Sequence, residues 1–111
     1  MEARKVHIIN TLNDYVAVVP SPISETVQAS GDAKYKNEGV VVGIGTDVPA
    51  GLLKPGDQVV FRKNVYMMVK PDSGCYKDLD ILFIPKPNLV LVKHGKQSRF
   101  EFVEGDPEVG D

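Results

Sequence analysis

Residues 38–61, EGVVVGIGTDVPAGLLKPGDQVVF, restrict this chain to a small set of folds. Val40, Val41 and Val42 lead into a Gly43-Ile44-Gly45 step, and β-branched side chains favour a pleated surface. Two Pro/Gly turns follow, Val48-Pro49-Ala50-Gly51 and Lys54-Pro55-Gly56-Asp57, before a second apolar run at Val59, Val60 and Phe61. Proline presets the first corner of such a turn and glycine completes it. Gly43 and Gly45 are expected to take backbone angles closed to residues with a Cβ. This is the pattern of a β-barrel corner, and it carries no chemistry.

The rest of the chain follows the same grammar. Residues 5–9 (KVHII) read as a short strand and residues 10–14 (NTLND) as a turn. Residues 15–19 (YVAVV) are continuously apolar, which predicts burial on both faces, with Pro20 and Pro22 ending the strand. Further strands are expected at 65–69 (VYMMV), 81–84 (ILFI) and 89–92 (LVLV), separated by KPDSG and PKPN turns. About seven short strands, and no segment of about 10 residues with helical periodicity, predict an all-β barrel or sandwich. The chain of 111 residues suits a single domain, expected over residues 1–93. Residues 94–111 read as a tail, in which Arg99-Phe100-Glu101-Phe102-Val103 alternates like an edge strand. The closing EGDPEVGD predicts a disordered acidic end.

Residues 21–37 differ in kind. Their apolar members are Ile23, Val27, Tyr35 and two alanines, and the remainder is small, polar or charged. A structureless stretch of this length inside a compact domain is usually functional or disordered. Residues 29–36 are expected to be exposed and mobile. A short helix starting at a Ser24 cap has no apolar face with which to dock.

Several function classes are set aside by composition. A formal net charge of −2 gives no clustered basic surface for nucleic acid. The single Cys75 forms no intrachain disulfide and suits a reducing compartment. No segment reads as a signal peptide or membrane span, so a cytoplasmic protein is expected. His7 and His94 fall short of the four ligands of a structural zinc site. Asp72, Asp78 and Asp80 lack the register of a calcium loop and read as turn formers. A nucleophilic Cys75 would need a histidine base, for which His94 is the neighbour in sequence. Gly43-Ile44-Gly45 would need its third glycine at Val48 to cradle a phosphate, and no helix follows. The residues therefore predict no enzyme, no metal and no cofactor.

Four motifs in order carry a family resemblance over residues 6–93. They are Thr11-Leu12-Asn13-Asp14-Tyr15-Val16-Ala17-Val18, the Val40-Val41-Val42-Gly43-Ile44-Gly45 turn, and Lys54-Pro55-Gly56-Asp57-Gln58-Val59-Val60-Phe61. The fourth is the acidic turn before Ile81-Leu82-Phe83-Ile84 with the closing Asn88-Leu89-Val90-Leu91-Val92. Together they resemble the GroES family of co-chaperonins. The run from Gly45 to Gly51 is similar to the T4-type phage branch in particular.

The resemblance implies a GroES-like β-barrel in a seven-subunit dome that caps a double-ring, ATP-driven chaperonin and helps enclose a folding client, such as a phage capsid protein. It would act in the host cytoplasm if phage-encoded. It implies that Val6, Ile8 and Ile9 of one subunit meet Leu89, Val90, Leu91 and Val92 of its neighbour. It also implies a mobile loop, here residues 21–37, which enters an apolar groove on each chaperonin subunit. Family members carry an aliphatic triplet in that loop; this chain offers Ile23 and Val27, with Tyr35 behind them. An alternative register makes Gly39-Val40-Val41-Val42 the contact and removes a core strand. The roof loop is reduced to residues 46–53. The acidic tail either lines a chamber or keeps the chain end solvated. The second reading is a GroES-like barrel serving as a structural or virion interaction module without chaperonin binding.

Overall fold

The computed structural model describes residues 3–22, 35–49, 51–63, 65–95, 97 and 99–103. In chain order its strands are β1 (Arg4–Val6), β2 (Ile9–Thr11), β3 (Tyr15–Pro22), β4 (Tyr35–Gly45), β5 (Gln58–Phe61), β6 (Met67–Val69), β7 (Ile81–Pro85), β8 (Leu89–Lys93) and β9 (Phe100–Phe102). A single 3₁₀ turn, Lys86–Asn88, separates β7 from β8. The fold is all-β, as the turn-punctuated apolar runs predict. Seven strands form one sheet, in the order β6-β7-β3-β4-β5-β8, with β2 added alongside β4; β1 and β9 form a separate pair. Among the described residues, no pairing joins β6 to β8.

β3 and β4 form the centre. Val16, Ala17 and Val18 are fully buried, so β3 is covered on both faces. Val16 and Val18 face one cluster with Val41, Val59, Phe61, Leu82 and Ile84. Ala17 and Val19 face the other, with Val6, Val40, Val42, Ile81 and Phe100. A register shift between the Ala17↔Gly43 and Val18↔Val41 pairs places an extra residue on β4. The bulge keeps Val41 and Ile44 on the same face although strict alternation would separate them.

The glycines of β4 serve close approach rather than unusual dihedrals. A Cβ on Gly45 would fall on the Asn13 carbonyl oxygen, one on Gly39 on that of Val19, and one on Gly43 would lie 2.5 Å from the Ile9 carbonyl oxygen. Removing the Cβ lets β2 and β3 crowd both sides of the strand. Positive φ instead falls at Gly51 (87°) and Gly56 (98°), the glycines of the two Pro/Gly turns. This corrects the sequence-based account of Gly43 and Gly45.

Other boundaries also move. β3 runs through both prolines to Pro22, because at that end it is no longer paired with β7, whose ladder stops at Val18↔Leu82. An edge position tolerates the missing N–H, and a further register shift lies between Pro20 and Pro22. The single strand expected at 5–9 is two, since β1 pairs with β9 while β2 pairs in parallel with β4. Of residues 65–69 only Met67–Val69 is strand. The packed domain also continues past Lys93: Phe100 is buried in the second cluster, and Phe102 packs against it. Val48 and Leu53, within the segment expected as a roof loop, are buried in the first cluster. The Asp47 N–H donates to the Asn13 carbonyl over 2.8 Å.

Gly45→Ala and Gly43→Ala should each destabilise the protein by roughly 1–3 kcal/mol through forced overpacking. Gly51→Ala meets open space, and only its φ of +87° opposes the change, so about 1–2 kcal/mol is expected there. Urea unfolding checks this. A Gly45→Ala protein as stable as the parent would show that strand approach does not constrain this position.

Candidate functional site

The site suggested by the sequence is the β3–β4 connection, and the structure defines its base. β3 and β4 stay paired from the core outward, through Val19↔Val40 and Pro20↔Gly39 to Pro22↔Tyr35. The two ends of the connection are therefore held side by side on the most deeply buried hairpin. Of residues 21–37, Ser21 and Pro22 belong to β3, and 35–37 belong to β4. Ile23 and Val27, the expected contacts, lie outside the described residues, as do the Ser24 cap and most of the segment expected to be mobile. Tyr35 is placed in β4 opposite Pro22. The alternative contact triplet is excluded by packing: Val40, Val41 and Val42 are all buried in the two core clusters.

Sequence reading did not single out Arg99 at this base. Its guanidinium donates through Nη1 to the carbonyls of Pro20 (3.2 Å) and Val19 (3.5 Å), and it lies 5.2 Å from the Phe100 ring centroid. Burial lowers its pKa from the ordinary arginine value. The two carbonyls keep the half-buried guanidinium hydrogen-bonded. The segment leading into β9 thus clamps the base of the connection. The signal was present in the RFEFV alternation, but nothing local told which strand it would meet.

The residues assigned to a subunit interface occupy different environments. Val6 is fully buried within the chain's own second cluster, and Ile9 packs against that cluster. Ile8 is exposed. Leu89 and Val92 pack against the first cluster, while Val90 and Leu91 are exposed. β8 pairs with β5 on one side, from Gln58↔Lys93 to Phe61↔Leu89. β1 is already paired with β9 of the same chain, from Arg4↔Phe100 to Val6↔Phe102.

The polar groups form two small clamps. In the first, Tyr76 Oη donates to the His7 carbonyl over 2.7 Å, and Arg4 donates to the carbonyls of Cys75 (2.8 Å) and Lys77 (2.9 Å). Cys75 Sγ lies 3.9 Å from His7 Nδ1, so the histidine beside the thiol is His7 and not His94. In the second, His94 Nδ1 lies 2.9 Å from Oδ2 of buried Asp57, which also accepts the Lys54 N–H over 2.9 Å. Asp57 thereby finishes the Lys-Pro-Gly-Asp turn and ties the residue after β8 to it. Asp80 is buried with its carboxylate 3.8 Å from Lys70 Nζ, and Asp78 takes a positive φ of 67° in its turn. Among the described residues, no group of three or more His, Cys, Asp or Glu side chains is placed to hold a metal. No described helix is long and apolar enough to cross a membrane.

Comparison with known proteins gives no match: no family model fits the sequence, and no curated protein aligns with it significantly.

The Tyr76 clamp has a pH signature. Burial first, and the neighbouring Cys75 second, raise the phenol pKa above its ordinary 10.0. The folded protein then keeps a proton that the unfolded chain loses above pH 10, so stability is intact below that pH and falls as pH rises beyond it. One such proton changes stability by about 1.4 kcal/mol per pH unit. Urea unfolding followed from pH 9 to 11 should give a shallower alkaline decline in Tyr76→Phe than in the parent. Parallel curves would remove Tyr76 as the source.

Proposed function

We propose that this chain is a phage-type co-chaperonin, a cap for an ATP-driven chaperonin ring that helps enclose a folding client. The observation that carries the reading is the pairing of Pro22 with Tyr35 at the end of the doubly buried β3–β4 hairpin. It holds the residues that flank 23–34 side by side on a hairpin whose central residues are buried on both faces. A recognition loop needs such a base, because loops carry function when a rigid scaffold positions them. The four family-like motifs support the same reading, since each falls on a strand or turn of this all-β domain.

In this mechanism the cap performs no chemistry, and ATP belongs to the partner. Ile23 and Val27 enter an apolar groove on each chaperonin subunit, with Tyr35 at the loop's foot. Ordering the loop opposes each contact, and several copies tethered in a ring, a heptamer by the resemblance, restore affinity through avidity. A capsid protein is the expected client and the host cytoplasm the expected setting.

One observation favours the second reading, a structural or virion interaction module without chaperonin binding. The pairing of β1 with β9 occupies, within one chain, a strand that the family resemblance assigns to a neighbour.

Co-sedimentation of the purified protein with a bacterial chaperonin, with and without ATP, separates the two. Nucleotide-dependent capture is expected, and its loss is expected in Ile23→Asp and Val27→Asp variants whose fold and assembly are unchanged. Normal capture by both variants would overturn the contact assignment. No capture of the parent in either condition would overturn the cap reading.

A further inference from the structure

The β3–β4 hairpin runs on after its neighbours have left it. β7 pairs with β3 only as far as Val18↔Leu82, and β5 pairs with β4 from Glu38↔Val60 to Val40↔Gln58. Beyond the Pro20↔Gly39 pair, among the described residues, the hairpin is therefore a two-stranded ribbon ending at Pro22↔Tyr35. Ribbons of two strands are marginal in water. This one is weaker still, because Pro20 and Pro22 bring no N–H to the ladder and a register shift lies between them.

A tie that the ladder does not supply comes from the opposite end of the chain. Arg99 Nη1 donates to the carbonyls of Pro20 and Val19, and the second contact spans 80 positions of sequence. The approach of this arginine is built by its surroundings. The N–H groups of Arg99 and Phe100 both donate to Gln97 Oε1, over 2.8 and 2.9 Å. Gln97 Nε2 donates in turn to the Phe100 carbonyl over 2.8 Å. The Arg4 N–H donates to the Arg99 carbonyl over 2.9 Å, and Phe100 is buried in the second cluster, to which Val19 also belongs. With the backbone on both sides fixed, the guanidinium fork loses little further freedom in reaching β3.

We infer that Arg99 is a positioning residue for the β3–β4 connection, a latch by which the C-terminal segment keeps the outer end of the hairpin paired. With the latch engaged, pairing extends to Pro22↔Tyr35. With it released, the ladder frays back to Val19↔Val40, where both partners are buried in the second cluster and β5 still holds β4. A partner of the connection then meets a longer segment, and the cost of ordering it is subtracted from affinity. That consequence for capture rests on the co-chaperonin reading, whereas the latch itself does not.

Amide hydrogen exchange on the full-length chain tests the latch with no partner present. In Arg99→Gln the amides of residues 35–37 are expected to exchange about tenfold or more faster, the effect of losing a hydrogen bond from a charged donor. The amides of β5 and β7 are expected to keep the parent's rates. Arg99→Lys retains a cationic donor and should recover much of the lost protection, a rescue that a role in overall stability would not produce. Gln97→Ala loosens the turn that presents the arginine; it should show the same local pattern more weakly, and it serves if Arg99→Gln does not fold. Unchanged exchange at 35–37 in either folded variant overturns the latch. So does acceleration spread evenly over all strands, and so does a lysine variant no better than the glutamine one. Co-sedimentation with a bacterial chaperonin and ATP then reads the consequence, with capture of Arg99→Gln expected to weaken by about tenfold. Equal capture beside accelerated exchange overturns the link to the partner. A parent that is not captured overturns the cap reading alone, and the exchange pattern still decides the latch.

Discussion

The fold depends on burying one hairpin from both sides. β3 and β4 meet a separate apolar cluster on each face, so their central stretches, 16–19 and 40–42, carry an apolar residue at every position rather than at alternate ones. Valine satisfies that demand, since its branched side chain is stiff and compact on a pleated surface. A strand hemmed in on both faces and both edges must also let neighbouring backbones come close. The glycines at 39, 43 and 45 do this at the points where the Val19, Ile9 and Asn13 carbonyls press against β4. The bulge at Val42 and Gly43 then restores the facing of Ile44. Each device follows from the same crowding, and none would be needed in a strand with one solvated face.

That origin explains what could be read from the chain alone. Continuous apolar runs such as YVAVV announce two-sided burial directly, and Pro/Gly turns mark their limits, so the all-β class was legible. Pairing was not. The RKV and FEF segments lie near opposite ends of the sequence, and nothing local couples Arg4 to Phe100. Likewise LVLV follows ILFI through a four-residue turn, which allows either pairing back or crossing over. The Lys86–Asn88 turn carries β8 across to β5. Proline misled for a related reason: Pro20 and Pro22 forbid a central strand, yet that end of β3 is an edge, where the missing N–H costs nothing in the ladder.

The candidate site was legible to a similar depth. Low apolar content over residues 21–37 marked a segment that the core does not use, and that much follows from composition. Its base at Pro22 and Tyr35 came only from pairing, and the Arg99 clamp only from tertiary contact. Cys75 makes the same point from the other side. Its histidine neighbour is 68 positions away rather than the one nearest in sequence, so proximity along the chain carried no information about the thiol.

On the proposed reading, loop and assembly are linked by magnitude. Burying Ile23 and Val27 completely would contribute about 1.5–3 kcal/mol each. Their sum, about 3–6 kcal/mol, corresponds at best to a dissociation constant between millimolar and tens of micromolar. Fixing even a few loop residues at about 1–2 kcal/mol each removes most of that gain. A single copy would therefore hold a chaperonin too weakly to close its chamber. Tethering copies converts later contacts into intramolecular ones at millimolar effective concentration. On the proposed reading, a contact that joins copies would therefore govern whether the loop can act at all. A chain with a short, sparsely apolar loop would need such a contact more than one with a strong aliphatic triplet.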